Sequence, residues 1–147
     1  MKAVLLLALR ATTGALLIVW GAIKAFSPET AIHVSDKYYS GVLSIEAAQT
    51  PMGWAQIALG ALVILGLFRR VVYPLQAAVL VIGALAIWKY LVDPLGLYLL
   101  SEETRQVLFF PSSTVAVASL VLLAFKEHDG LALDRALFAR RRSSISG

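Results

Sequence analysis

Four long apolar runs separated by polar stretches leave this chain few ways to fold. A helix needs about 20 apolar residues to cross the hydrocarbon of a bilayer. The runs cover about 3–26, 52–68, 71–92 and 107–125. Arg10 and Lys24 interrupt the first, and the second ends at Arg69-Arg70. Pro74 falls in the first turn of the third, where a missing N–H costs little. The chain is 59% hydrophobic and 15% charged, whereas a soluble domain carries about 45–50% and 25%. A soluble globular enzyme, a disordered chain and a small secreted scaffold are all excluded. The expected fold is an all-α integral membrane protein, a four-transmembrane-helix antiparallel bundle over residues 1–126. A basic amphipathic tail follows at 127–147.

Charge sets the expected orientation. With both termini cytoplasmic, the inner side holds Lys2, Arg69, Arg70, Lys126, Arg135 and Arg140-Arg141-Arg142, and most acids lie outside. That agrees with the positive-inside bias. The net charge of +4 is therefore topological, and no nucleic-acid partner is implied. The bilayer is the partner, and the tail with Leu131, Leu137 and Phe138 reads as a segment lying on anionic lipid. Because Arg10 splits its apolar stretch and Lys24 stands where small cleavage-site residues belong, the first run reads as a retained helix. In the outer loop 27–51, Ser27-Pro28-Glu29 predicts a short surface helix. Almost nothing joins spans two and three, which predicts a tight antiparallel hairpin. Ser101-Glu102-Glu103 reads as a helix start ahead of the membrane, with a kink at Pro111.

Polar residues inside the spans carry the functional information. Arg10, Gly14, Leu17, Gly21 and Lys24 fall within roughly 80° of arc at about 100° per residue. Glycines on that face admit a second helix closely, and an arginine costs about 2.5–3.5 kcal/mol at the centre of a lipid-facing helix. The stripe is expected to face the other helices rather than lipid.

At the outer ends lie Trp20, Trp54, Trp88, Lys24, Gln56, Lys89 and Tyr90, joined by Ser112, Ser113 and Thr114 from the fourth helix. An interfacial aromatic belt with outward-reaching lysines accounts for the Trp and Tyr residues. A pocket open to the outer leaflet accounts better for Gln56 and the Ser-Ser-Thr run, and would suit a quinone headgroup or an anionic small molecule.

The parts for most chemistry are missing. There is no cysteine, so no disulfide, thiolate zinc site or iron–sulfur cluster can form. His33 and His128 fall on opposite sides of the membrane, so no metal site and no haem site is expected. No span carries Asp or Glu, and no phosphate loop or nucleophile triad is visible. No residue is assigned a catalytic role.

The first span reads Arg10-Ala-Thr-Thr-Gly14, then Gly21-Ala-Ile-Lys24, and the second carries Gln56 and Gly66-Leu-Phe-Arg69-Arg70. This pattern resembles the DoxX/DoxD family of small four-helix bacterial membrane proteins. The departure is Gln56, where many members carry Glu. The amide can hydrogen-bond but cannot serve as the charge partner of Arg10 or a lysine. The resemblance implies a location in the bacterial cytoplasmic (inner) membrane and an accessory, non-catalytic role in a quinone-linked redox system. Quinone is the cofactor it suggests, none being intrinsic, and other membrane or redox subunits are the partners. A lipid- or small-molecule-binding module and a structural, partner-recruiting subunit are the alternatives.

Overall fold

A computed structural model of the chain describes residues 1–39, 45–135 and 137. Arg140–Arg142 and Phe138 of the basic tail lie outside the described residues. Among the described residues there are six α-helices: α1 Lys2–Phe26, α2 Pro28–Tyr38, α3 Glu46–Leu65, α4 Arg69–Ala86, α5 Trp88–Val92 and α6 Pro111–Ala124. Four helical segments, Lys2–Phe26, Ala47–Leu65, Arg69–Ala86 and Val107–Ala124, are long and apolar enough to span a membrane. The chain is a multi-pass membrane protein.

The closest packing is between α1 and α3, and α4 pairs with α6. Glycine explains the first pairing. A Cβ on Gly14 would stand 2.7 Å from the Gly60 carbonyl oxygen, and one on Gly21 would stand 2.7 Å from that of Gly53. Each backbone fills the space that the other's missing side chain leaves. The stripe on α1 therefore faces α3, and the matching Gly53/Gly60 spacing on α3 completes the seam. Leu17, between the two glycines, is fully buried with Val63, Tyr73 and Leu122. Two buried hydroxyls are satisfied within their own helices: Thr13 donates to the Leu9 carbonyl (2.8 Å) and Ser119 to that of Ala116 (2.6 Å).

Several boundaries depart from expectation. The second span begins before Pro51, which α3 accommodates within its second turn, and it ends at left-handed Gly66 rather than at Phe68. The third is broken at Ile87, leaving α5 as a separate turn and a half. No helix starts at Ser101. A single 3-10 turn covers Val107–Phe109 and Pro111 opens α6 at its first position, so the proline starts the helix and does not kink it. The surface helix after Ser27 is present as α2, whose Ala31 and Ser35 are buried.

The tight hairpin expected between spans two and three is not formed as such. The link is only Gly66-Leu67-Phe68, yet α3 lies mainly against α1. An apolar groove lined by Ala55, Leu59, Leu62, Val71 and Leu75 opens between α3 and α4. The glycine seam outcompetes the short loop, because the loop constrains only the helix ends while the seam runs along the helix.

Candidate functional site

Two polar clusters stand at opposite ends of the helices, about 21 Å apart along α1 at 1.5 Å per residue between Arg10 and Lys24. The first closes the end where α1 and α4 begin and α3 and α6 finish. After α6 the chain makes a 3-10 turn over Lys126–His128 and folds back across the helix ends. Asp129 from this segment is completely buried against Arg10. The guanidinium donates from Nη1 to both carboxylate oxygens (3.1 and 3.3 Å) and from Nη2 to the Leu131 carbonyl (2.9 Å). Tyr73 of α4 donates its hydroxyl to the same carboxylate at 2.6 Å. Arg69 donates to the carbonyls of Lys126 (2.6 Å) and Asp129 (3.3 Å) and lies 3.6 Å from Asp134.

Backbone geometry prepares this cluster. Gly66 adopts φ +67, and a side chain there would collide with the Arg10 guanidinium and with Ala132. Phe68 is also left-handed (φ 51), a conformation that costs a bulky residue of order 1–3 kcal/mol. Asp134 offsets that cost by accepting the Phe68 and Arg69 N–H groups, each at 3.0 Å, and so caps α4. Of the two arginines at this turn, Arg69 is turned inward and Arg70 stays exposed. The cluster is a charge-balanced clamp joining α1, α4 and the segment after α6, in which the buried Nε atoms of Arg10 and Arg69 make no hydrogen bond with the described residues.

The second cluster is at the far end of α1. Lys24 donates to Gln56 Oε1 at 2.9 Å, with Met52 Sδ at 3.9 Å. Among the described residues Lys24 makes no ion pair. Nearby, Phe26 and Trp54 meet edge to face at 5.4 Å. Tyr90 joins Tyr38 and Phe109 in a second aromatic group, with centroids 4.8–5.6 Å apart, tying α2 to α5 and the 3-10 turn.

The residues expected to build an outer pocket are thus distributed over several places. Lys24 and Gln56 come together. Trp88 and Ser113 line a separate groove between α4–α5 and α6, with Ala84, Leu85 and Val117. Ser113 donates to the Phe110 carbonyl at 2.8 Å and so serves its own helix start. Ser112 is half-buried beside it, while Thr114, Lys89 and Trp20 are exposed. No group of three or more His, Asp or Glu side chains suited to a metal occurs among the described residues.

Sequence reasoning misses four residues. Hydropathy alone places Asp129 in the tail. Gly53 and Gly60 repeat the seven-residue spacing of Gly14 and Gly21, a signal open to view in the sequence. Gln76 is a fully buried amide on α4 that makes no hydrogen bond with the described residues, and it stands out as the one amide of the third span. No family model matches this chain, and neither does any curated protein sequence or solved structure.

Proposed function

We propose that this chain is a DoxX-like four-helix bundle of the bacterial inner membrane with both termini cytoplasmic. In this reading it is a non-catalytic accessory subunit of a quinone-linked redox system, and Lys24 with Gln56 meets the quinone headgroup. The observation that carries the reading is the Lys24 ammonium. It is half-buried at the end of a membrane helix, and its partners are a neutral amide and a thioether. A cation at such depth without a counter-charge is costly. A quinone carbonyl oxygen would accept a hydrogen bond from one of its remaining N–H groups, and the Phe26–Trp54 pair would offer flat apolar surface to the ring.

The residues behind the family resemblance support the same assignment. Arg10, Gly14, Gly21, Gly66 and Arg69 build the clamp and the seam, and Arg70 is exposed, which leaves Lys24 and Gln56 as the partly buried members of the pattern outside both. Electrons would have to come from a partner carrying a redox cofactor, since side chains of these types supply none. The alternative, a lipid-binding module, is favoured by the two apolar grooves flanking α4.

Titration of the purified protein with a short-chain quinone should quench tryptophan fluorescence saturably, and Lys24→Met should abolish the saturation. Linear quenching that is identical in both proteins would mean partition into lipid and would refute the site. Co-purification in mild detergent separates the two roles: a stoichiometric redox subunit supports the first, and bound lipid alone supports the second.

A further inference from the structure

The loop between α5 and α6 has an unusual internal bonding scheme that the proposed function does not use. Asp93 closes α5, and its carboxylate accepts the backbone N–H groups of Leu97, Tyr98, Leu99 and Leu100 at 2.6–3.0 Å. Burial alone would raise the carboxyl pKa, but these bonds, with Leu99 and Leu97 foremost, hold it well below the usual carboxylate range. The scheme extends on both sides. Gly96 N–H bonds the Asp93 carbonyl (3.3 Å), and Ser101 N–H bonds Thr104 Oγ1 (3.0 Å). Six consecutive amides, 96 to 101, are therefore satisfied by the loop itself. Gly96 permits the fold by its left-handed φ of +71 and by having no Cβ, which would stand 2.9 Å from the Ser101 carbonyl.

A loop in water has no need of such provision, because water satisfies its amides. A segment placed in lipid does need it. The side chains agree with the backbone. Tyr98 is 88% exposed and Leu108 86%, and Leu95, Leu97 and Leu99 are each more than half exposed. The charges Glu102 and Glu103 lie beyond this stretch in the same loop, while Arg105 folds back and donates to the Leu95 carbonyl at 3.3 Å. Such a division into apolar and charged ends matches a segment lying in the membrane interface.

We infer that residues 95–100, with Leu108, form an interfacial lipid anchor: a loop whose amides from Gly96 to Leu100 are bonded internally and which enters the headgroup and upper acyl region of the leaflet at the Lys24 end. Lipid is the occupant because the loop is continuous with two spans, α4–α5 and α6, which deliver it to the surface of that leaflet. The single carboxylate of Asp93 makes the entry possible by removing four N–H groups from any need of water.

The chain contains no cysteine, so single nitroxide labels can be placed at Leu97→Cys, Tyr98→Cys and Leu99→Cys, with Glu103→Cys as the aqueous reference. All four side chains are exposed. In phosphatidylcholine bilayers, the first three labels should collide several-fold more often with oxygen than with a nickel chelate, and Glu103→Cys should show the reverse. Equal nickel access at 97–99 and 103 would place the loop in water and overturn the anchor. Low access to both reagents at 97–99 would mean cover by protein and would equally overturn it. In the Tyr98→Cys background, adding Asp93→Ala should raise nickel access to the level of the reference. An unchanged label would overturn the part given to Asp93. No quinone enters the experiment, so its outcome is independent of the ligand reading.

Discussion

At the scale of single residues, the clamp at the Arg10 end is the strongest feature. Removing one member of a buried ion pair leaves the other charged and unpaired, at a cost of about 3–5 kcal/mol. Arg10→Met and Asp129→Asn should each lower the unfolding free energy by about that much, measured by reversible unfolding in mixed micelles. The double variant should lose far less than the sum, since the introduced amide would still offer Tyr73 an acceptor and no charge would be left unpaired. Additive losses would show that the two residues act independently. This pair also marks where the sequence becomes illegible. Arg10 demands a partner on energetic grounds, and its helix face is readable from periodicity. Asp129 lies 119 residues away, beyond the last apolar run, where local polarity gives no hint that the chain turns back. Lys24 and Gln56 are readable as polar residues at similar depth, but their hydrogen bond depends on the seam that aligns α1 with α3.

Among helices, the seam rather than chain connectivity decides what packs on what. Gly14→Ala and Gly21→Ala each place a methyl group 2.7 Å from a backbone oxygen that cannot move aside alone. Each should cost about 1–3 kcal/mol by overpacking, and leucine at either position should abolish folded yield. Gly83 of α4 has open space around its would-be Cβ. Gly83→Ala should therefore be neutral or stabilising by up to about 1 kcal/mol, because alanine is the better helix former. Thermal denaturation of the three variants in one detergent reads all of this. Equal tolerance would show that the seam is not tight. The existence of the spans is legible because hydropathy registers over some twenty residues. Their ends are not, because they hang on single residues: Pro111 opens a helix in place of the expected kink, Pro51 is absorbed, and Ile87 interrupts a run with no helix breaker beside it in sequence.

For the molecule as a whole, the proposed orientation makes a simple prediction. Cysteine at Glu103 should react with an impermeant maleimide added outside intact cells, while cysteine at Ser144 should react only after the membrane is opened. The opposite pattern would invert the protein and put the Lys24 cluster at the cytoplasmic face. The clamp adds a constraint of another kind, because Arg10 and Asp129 are made far apart in time during synthesis. At about 5–20 residues per second, the 119 residues between Arg10 and Asp129 take roughly 6–24 s to appear. For that interval the first helix carries an arginine with no counter-ion, and its place in the bilayer is provisional. A ribosome that stalls before Asp129 leaves a chain with every span present and its first helix still unsecured. The clamp therefore cannot close until Asp129 has been made, and the first helix enters the bilayer before its arginine has a partner.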